Sequence, residues 1–64
     1  MRLTEFWERM ERQFGKAFAD TVARDQVLGD LGNRTVNQAL AAGTDAKEVW
    51  RAVCDAYDLP PKVR

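Results

Sequence analysis

The stretch Arg34–Cys54, RTVNQALAAGTDAKEVWRAVC, decides the fold because it carries two sets of helix punctuation in succession. Thr35 and Gln38 stand at the spacing of a capping box, in which each side chain bonds the other's main-chain amide. Val36, Ala39 and Leu40 form a short apolar stripe behind that start, and Gly43 is the expected C-terminal residue. Asp45 with Glu48 repeats the capping-box spacing. A second helix is predicted from Asp45 to about Asp58, ahead of Leu59-Pro60-Pro61, where proline forces the chain out. At 100° per residue, Val49, Trp50, Ala52, Val53, Cys54, Ala56 and Tyr57 occupy about 200° of its circumference, and Lys47, Glu48, Arg51, Asp55 and Asp58 fill about 100°. An apolar arc that wide predicts a central helix, buried against more than one neighbour.

Working outward, LTEFWERMERQFG sets Leu3, Phe6, Trp7, Met10 and Phe14 on one helical face, with Thr4 as the expected N-cap and Gly15 as a left-handed stop. Glu5 with Arg9 and Glu8 with Arg12 are acid-before-base pairs at i,i+4, each worth a few tenths of a kcal/mol. KAFADTVARD predicts a second helix with Phe18 and Val22 as i,i+4 partners beside Ala19 and Ala23. Val27, Leu28 and Leu31 add one apolar turn, which Gly29 marks as a separate short piece because glycine costs roughly 1 kcal/mol against alanine inside a helix. No segment alternates with a period of two over four or more residues, so nothing supports a sheet. The expected core is Phe6, Trp7, Met10, Phe14, Phe18, Val22, Leu28, Leu31, Leu40, Val49, Val53 and Tyr57.

Composition bounds the function. A chain of 64 residues is read as one domain, 1–64, with residues 60–64 as a loosely ordered tail. It is 45% hydrophobic and 31% charged, the composition of an ordinary globular protein. Ten Lys and Arg offset ten Asp and Glu, and neither half is a basic arm: residues 1–31 carry five cations and six anions, residues 32–64 five and four. Dedicated nucleic-acid binders usually show a positive excess, because cation–phosphate contacts supply most nonspecific affinity. Cys54 is the only cysteine and histidine is absent. Neither an intramolecular disulfide nor a structural zinc set follows from such a sequence, and no His stands ready as base to a nucleophile. No catalytic, metal or cofactor site is expected, and Cys54 reads most simply as a small buried hydrophobe. Charges every two or three residues in MRLTEFWERMERQF leave no signal-peptide core or membrane span, so the expected location is the cytoplasm.

The two helices of the opening stretch also invite a DNA-reading helix-turn-helix. Counted from Thr35 as the first position, Ala39, Gly43, Val49 and Ala52 fall where such a motif wants small or apolar residues. Gln38 and Thr44 fall where it wants apolar ones. Lys47 and Arg51 would face phosphates or guanine edges, while Asp45 and Glu48 would face the same phosphates unfavourably. The match is therefore partial.

Three runs, MRLTEFWERMERQFG, ARDQVLGDLGNRTVNQALAAG and DAKEVWRAVCDAYDLPPKVR, together resemble a small domain-of-unknown-function family of actinobacteria. Arg34–Gly43 and Val49–Cys54 carry the most specific part of that likeness. Ala46 departs from it, standing where many members carry Pro at the first helical position. The resemblance implies a chain of about this length with no assigned activity or site residues. It also implies genes often found near those of recombination and its regulator, an association of neighbours that points towards DNA repair.

These observations lead to an all-α fold: a small orthogonal bundle of about four helices with a helix-turn-helix-like pair in the C-terminal half. The expected function is a noncatalytic protein–protein interaction module, not an enzyme, with Lys47, Trp50 and Arg51 as candidate partner-binding residues and a monomer or a homodimer burying Trp50 as its state. The alternative is a weak nucleic-acid binder using Arg34, Lys47, Arg51, Lys62 and Arg64. Clustering of those five cations would favour nucleic acid, and scatter would favour a protein partner.

Overall fold

The computed structural model describes all 64 residues and is built of four helices. These are α1 (Leu3–Phe14), α2 (Lys16–Asp25), α3 (Val36–Ala41) and α4 (Ala46–Ala56), with short 3-10 turns at Gly29–Leu31 and Pro61–Val63. α1 packs against α2 and α4, and α3 packs against the same two helices, so the four close around one buried cluster. The all-α expectation holds. The one extended feature is a two-residue antiparallel ladder between β1 (Val27–Leu28) and β2 (Arg34–Thr35), pairing Val27 with Thr35 and Leu28 with Arg34. It is too short to produce any alternation in the sequence.

Helix punctuation explains most of the boundaries. Thr35 accepts from the Gln38 amide at 3.1 Å while the Gln38 side chain accepts from the Thr35 amide at 2.9 Å, completing the capping box. Asp45 caps α4 through the Lys47 amide at 3.2 Å, and the reciprocal Glu48 bond of the expected second box does not form. Thr4 is not an N-cap: α1 starts at Leu3 because the Arg2 carbonyl already accepts from the Phe6 amide at 3.0 Å. α3 ends in a Schellman motif, with Gly43 at φ +91° and the Thr44 and Gly43 amides returning to Ala39 and Leu40. The same motif ends α4, where Leu59 bonds Cys54 and Asp58 bonds Asp55, with Asp58 in the left-handed position at φ +51°. α4 therefore stops at Ala56, two residues before the expected boundary, and before the prolines act.

A single residue separates the first two helices. Gly15, at φ +82° and ψ 153°, ends α1 by donating to Glu11 and begins α2 by accepting from Ala19, both at 2.8 Å. That conformation is nearly exclusive to glycine.

The core holds sixteen apolar residues, drawn from every helix and from the ladder and turn that follow α2. Phe6, Met10, Val22, Val49, Val53 and Cys54 are sealed from solvent, and α4 supplies six of the sixteen, as a central helix should. Phe18 corrects the expected core. It is 52% exposed, because α2 turns Ala19, Val22 and Ala23 inward and leaves Phe18 packed edge-on against Phe14 at the surface. Trp7, Phe14, Leu40 and Tyr57 are partly buried at the margin. Leu59, absent from the expected core, is buried as the apolar residue that follows the α4 stop.

Candidate functional site

The outward faces of α1 and α4 form the walls of a groove, and the C-terminal turn crosses it. Residues at spacings of three and four share a helical face. Glu5, Arg9, Arg12 and Gln13 thus come from one face of α1, and Lys47, Trp50, Arg51, Cys54 and Asp55 from one face of α4. The crossing turn divides the groove into two adjacent concavities of about 620 and 540 Å³, which share Arg9, Trp50 and Arg64.

Arg64 makes the dividing ridge. Its main-chain oxygen accepts from Arg9 Nη1 at 3.1 Å and from Trp50 Nε1 at 3.2 Å. Its guanidinium donates from Nε to the Leu59 carbonyl at 3.0 Å and from Nη1 to Asp55. Residues 60–64, expected as a loose tail, carry these contacts: a buried indole N–H needs an acceptor, and this turn supplies one. The same contacts correct the reading of Trp50. Only 3% exposed and edge-on to Phe6 at a centroid distance of 6.2 Å, it is the floor of the groove and not a free anchor. The wide apolar face of α4 that suggested a homodimer is covered by α1, α3, β1 and the Gly29–Leu31 turn, and its Trp50 edge is closed by Phe6 and the C-terminal turn.

The charges sort themselves around this ridge. Six of the ten Lys and Arg side chains line the two concavities (Arg9, Arg12, Lys47, Arg51, Lys62 and Arg64), against two of the ten carboxylates, Glu5 and Asp55. Both carboxylates are already matched, Glu5 by Arg9 at 2.9 Å and Asp55 by Arg64. Arg12, Lys47, Arg51 and Lys62 make no ion pair or side-chain hydrogen bond. Of the two α1 pairs expected from spacing, only Glu5–Arg9 forms, so Arg12 stays uncommitted. By side chains alone the groove carries four uncompensated positive charges. The rest of the surface keeps four cations and eight carboxylates, so a chain of zero net charge is strongly polarised.

Four of the five candidate nucleic-acid-binding cations, Lys47, Arg51, Lys62 and Arg64, meet at this face. Arg34 does not join them; it is exposed on β2, opposite Leu28. Asp45 and Glu48, expected to oppose any anion at Lys47 and Arg51, line neither concavity. Arg9 and Arg12 were visible in sequence only as partners within their own helix. Their place in the groove depends on how α1 docks against α4.

Cys54 borders the first concavity yet is fully buried, and that burial pushes its thiol above the ordinary range, away from the thiolate a nucleophile or redox sensor needs. No buried side-chain nitrogen or oxygen lacks a partner. No three His, Cys, Asp or Glu side chains gather as a metal-binding group. No helix is long and apolar enough to cross a membrane.

A protein-family model described as "Protein of unknown function (DUF3046)" matches residues 1–62. No curated protein and no solved structure gives a significant match.

Proposed function

From the premise that this chain belongs to the DUF3046 family, whose description assigns no activity, we propose that it is a small noncatalytic interaction module that engages a protein partner through the α1–α4 groove. One observation carries this reading: four cations with no partner inside the chain stand together, Arg12 on α1, Lys47 and Arg51 on α4, and Lys62 on the C-terminal turn docked between them. Charges held on rigid elements recognise at lower entropic cost than charges on loops. A partner tied to recombination is the first to test, since the family resemblance implies genes near that pathway. Affinity capture from cells at endogenous level, with identification by mass spectrometry, should return one protein reproducibly and lose it when salt is raised. Failure to recover a specific protein would remove the proposal.

Four of the five candidate cations, Lys47, Arg51, Lys62 and Arg64, do cluster, the outcome expected to favour the second reading, a weak nucleic-acid binder. A protein is placed first because the surface outside the groove carries eight carboxylates against four cations, which a continuous polyanion would meet. The helix-turn-helix form of it fits poorly. Six of the eleven residues of α4 are buried, the C-terminal turn engages it at Trp50 and Asp55, and Lys47 and Arg51 are its only cations, which is little for a recognition helix in a major groove. Titration with duplex and single-stranded DNA at low salt decides the matter: unperturbed amides at 45–51 and 62–64 dismiss this reading.

A further inference from the structure

We infer that the groove recognises a segment carrying two separate acidic clusters, one on each side of the Arg64 ridge; this rests on the proposal that the partner is a protein. The uncompensated cations are not one patch but two pairs. Lys47 and Arg51 line only the first concavity, and Arg12 and Lys62 line only the second. Between them stands a ridge whose hydrogen-bonding groups are spent on one another: Arg9 and Trp50 both donate to the Arg64 main-chain oxygen, and the Arg64 guanidinium is held by Asp55 and Leu59. A bound chain finds charge to neutralise on either side and none on the ridge.

Charge complementarity selects the occupant. Outside the groove, side chains carry four more carboxylates than cations, so a continuous polyanion would run from an attractive face onto a repulsive one. A peptide can concentrate its carboxylates where the cations are and stay neutral elsewhere. The scale agrees: the molecule measures 26 × 22 × 21 Å, and an extended peptide advances about 3.3–3.6 Å per residue. A segment of roughly six residues therefore spans most of one face.

The test uses the full chain, isotopically labelled, titrated at low salt with synthetic peptides bearing two Glu-Glu pairs separated by neutral spacers of different length. A peptide with a single Glu-Glu pair, a Lys-for-Glu peptide and a single-stranded oligonucleotide of equal charge serve as comparisons. The expected result is shift perturbation at Lys47, Arg51, Arg12, Lys62 and the Trp50 indole N–H, with one spacer preferred. Lys47→Glu with Arg51→Glu, and separately Arg12→Glu with Lys62→Glu, should each weaken the two-cluster peptide about tenfold. The Gln versions of both variants guard against any effect of charge reversal on folding. Equal affinity for one- and two-cluster peptides, or loss confined to one pair of substitutions, overturns the bipartite site. Tighter binding of the oligonucleotide overturns the choice of a peptide. A captured protein partner whose binding ignores both pairs of substitutions overturns the site while leaving the interaction-module reading intact.

Discussion

Gly15 shows how much can rest on one residue. A Cβ built there would meet nothing within 4 Å, so any penalty for a side chain is conformational and not steric. Gly15→Ala should destabilise by about 1–3 kcal/mol in urea denaturation, the cost of holding alanine in that region. Gly29→Ala is the control: it also has open space and lacks a positive φ, so it should be neutral or slightly stabilising. Cys54 makes a prediction in pH. Burial raises its pKa from the reference of 9.0, so the folded state keeps its proton to higher pH than the unfolded state. Its contribution is complete below about pH 9 and is lost as pH rises through the folded pKa. Stability should begin to fall above pH 9, and Cys54→Ala should flatten that early decline. Burial also raises Tyr57, from 10.0, so its own decline begins about one unit later. A thiol reagent should label Cys54 only on denaturation.

At the scale of the element, the ends of the helices are governed by local chemistry and their faces by neighbours. Thr35→Ala removes one half of the α3 capping box and should cost about 1 kcal/mol by thermal or chemical denaturation. That is a large share of what a helix of six residues contributes. The sequence announced this cap, the stops at Gly15 and Gly43, the Asp45 cap and the inward stripe of α4, but Gly15 takes ψ 153° in place of the expected left-handed helical value and Asp45 caps without the reciprocal Glu48 bond. It did not announce that Asp58 would take the left-handed position that ends α4, because a single Asp before a Leu-Pro-Pro run reads as a residue inside the helix. Nor did it separate Phe18 from the core. Phe18 and Ala19 stand about 100° apart on the helical wheel, both within reach of one apolar face, and only the docking of α2 decides that Ala19, Val22 and Ala23 point inward while Phe18 stays at the surface.

The whole molecule depends on its C-terminal turn more than its composition suggests. Removing residues 61–64 deletes the acceptor of the Trp50 indole and the partners of Arg9 and Asp55. In a Trp7→Phe background, this truncation should shift Trp50 emission to longer wavelength, as water reaches the indole. It should lower stability by at least about 1 kcal/mol, the typical net value of the one bond lost at a buried donor, the Trp50 indole, with the exposed contacts and Val63 packing adding to it. A free tail would leave both measurements unchanged. The groove belongs to this scale too. Its walls are residues 5–13 and 47–55, and its divider is the last turn, so no window of sequence contains it.

By itself the amino-acid sequence determined that this protein is helical, where α1 stops, where α3 starts and stops, where α4 starts, and which stripe of α4 lies inward. Those outcomes follow from interactions over three or four residues, the range at which capping and periodicity act. The tertiary structure alone decided the distribution of charge. Lys47, Arg51, Arg12 and Lys62 lie in balanced stretches of the chain, and they form an uncompensated face because α1 docks beside α4 while Glu5 and Asp55 are consumed by Arg9 and Arg64. Net charge is a sum along the chain and is indifferent to folding, whereas the field that a partner meets depends on which of those charges the packing of the helices brings together.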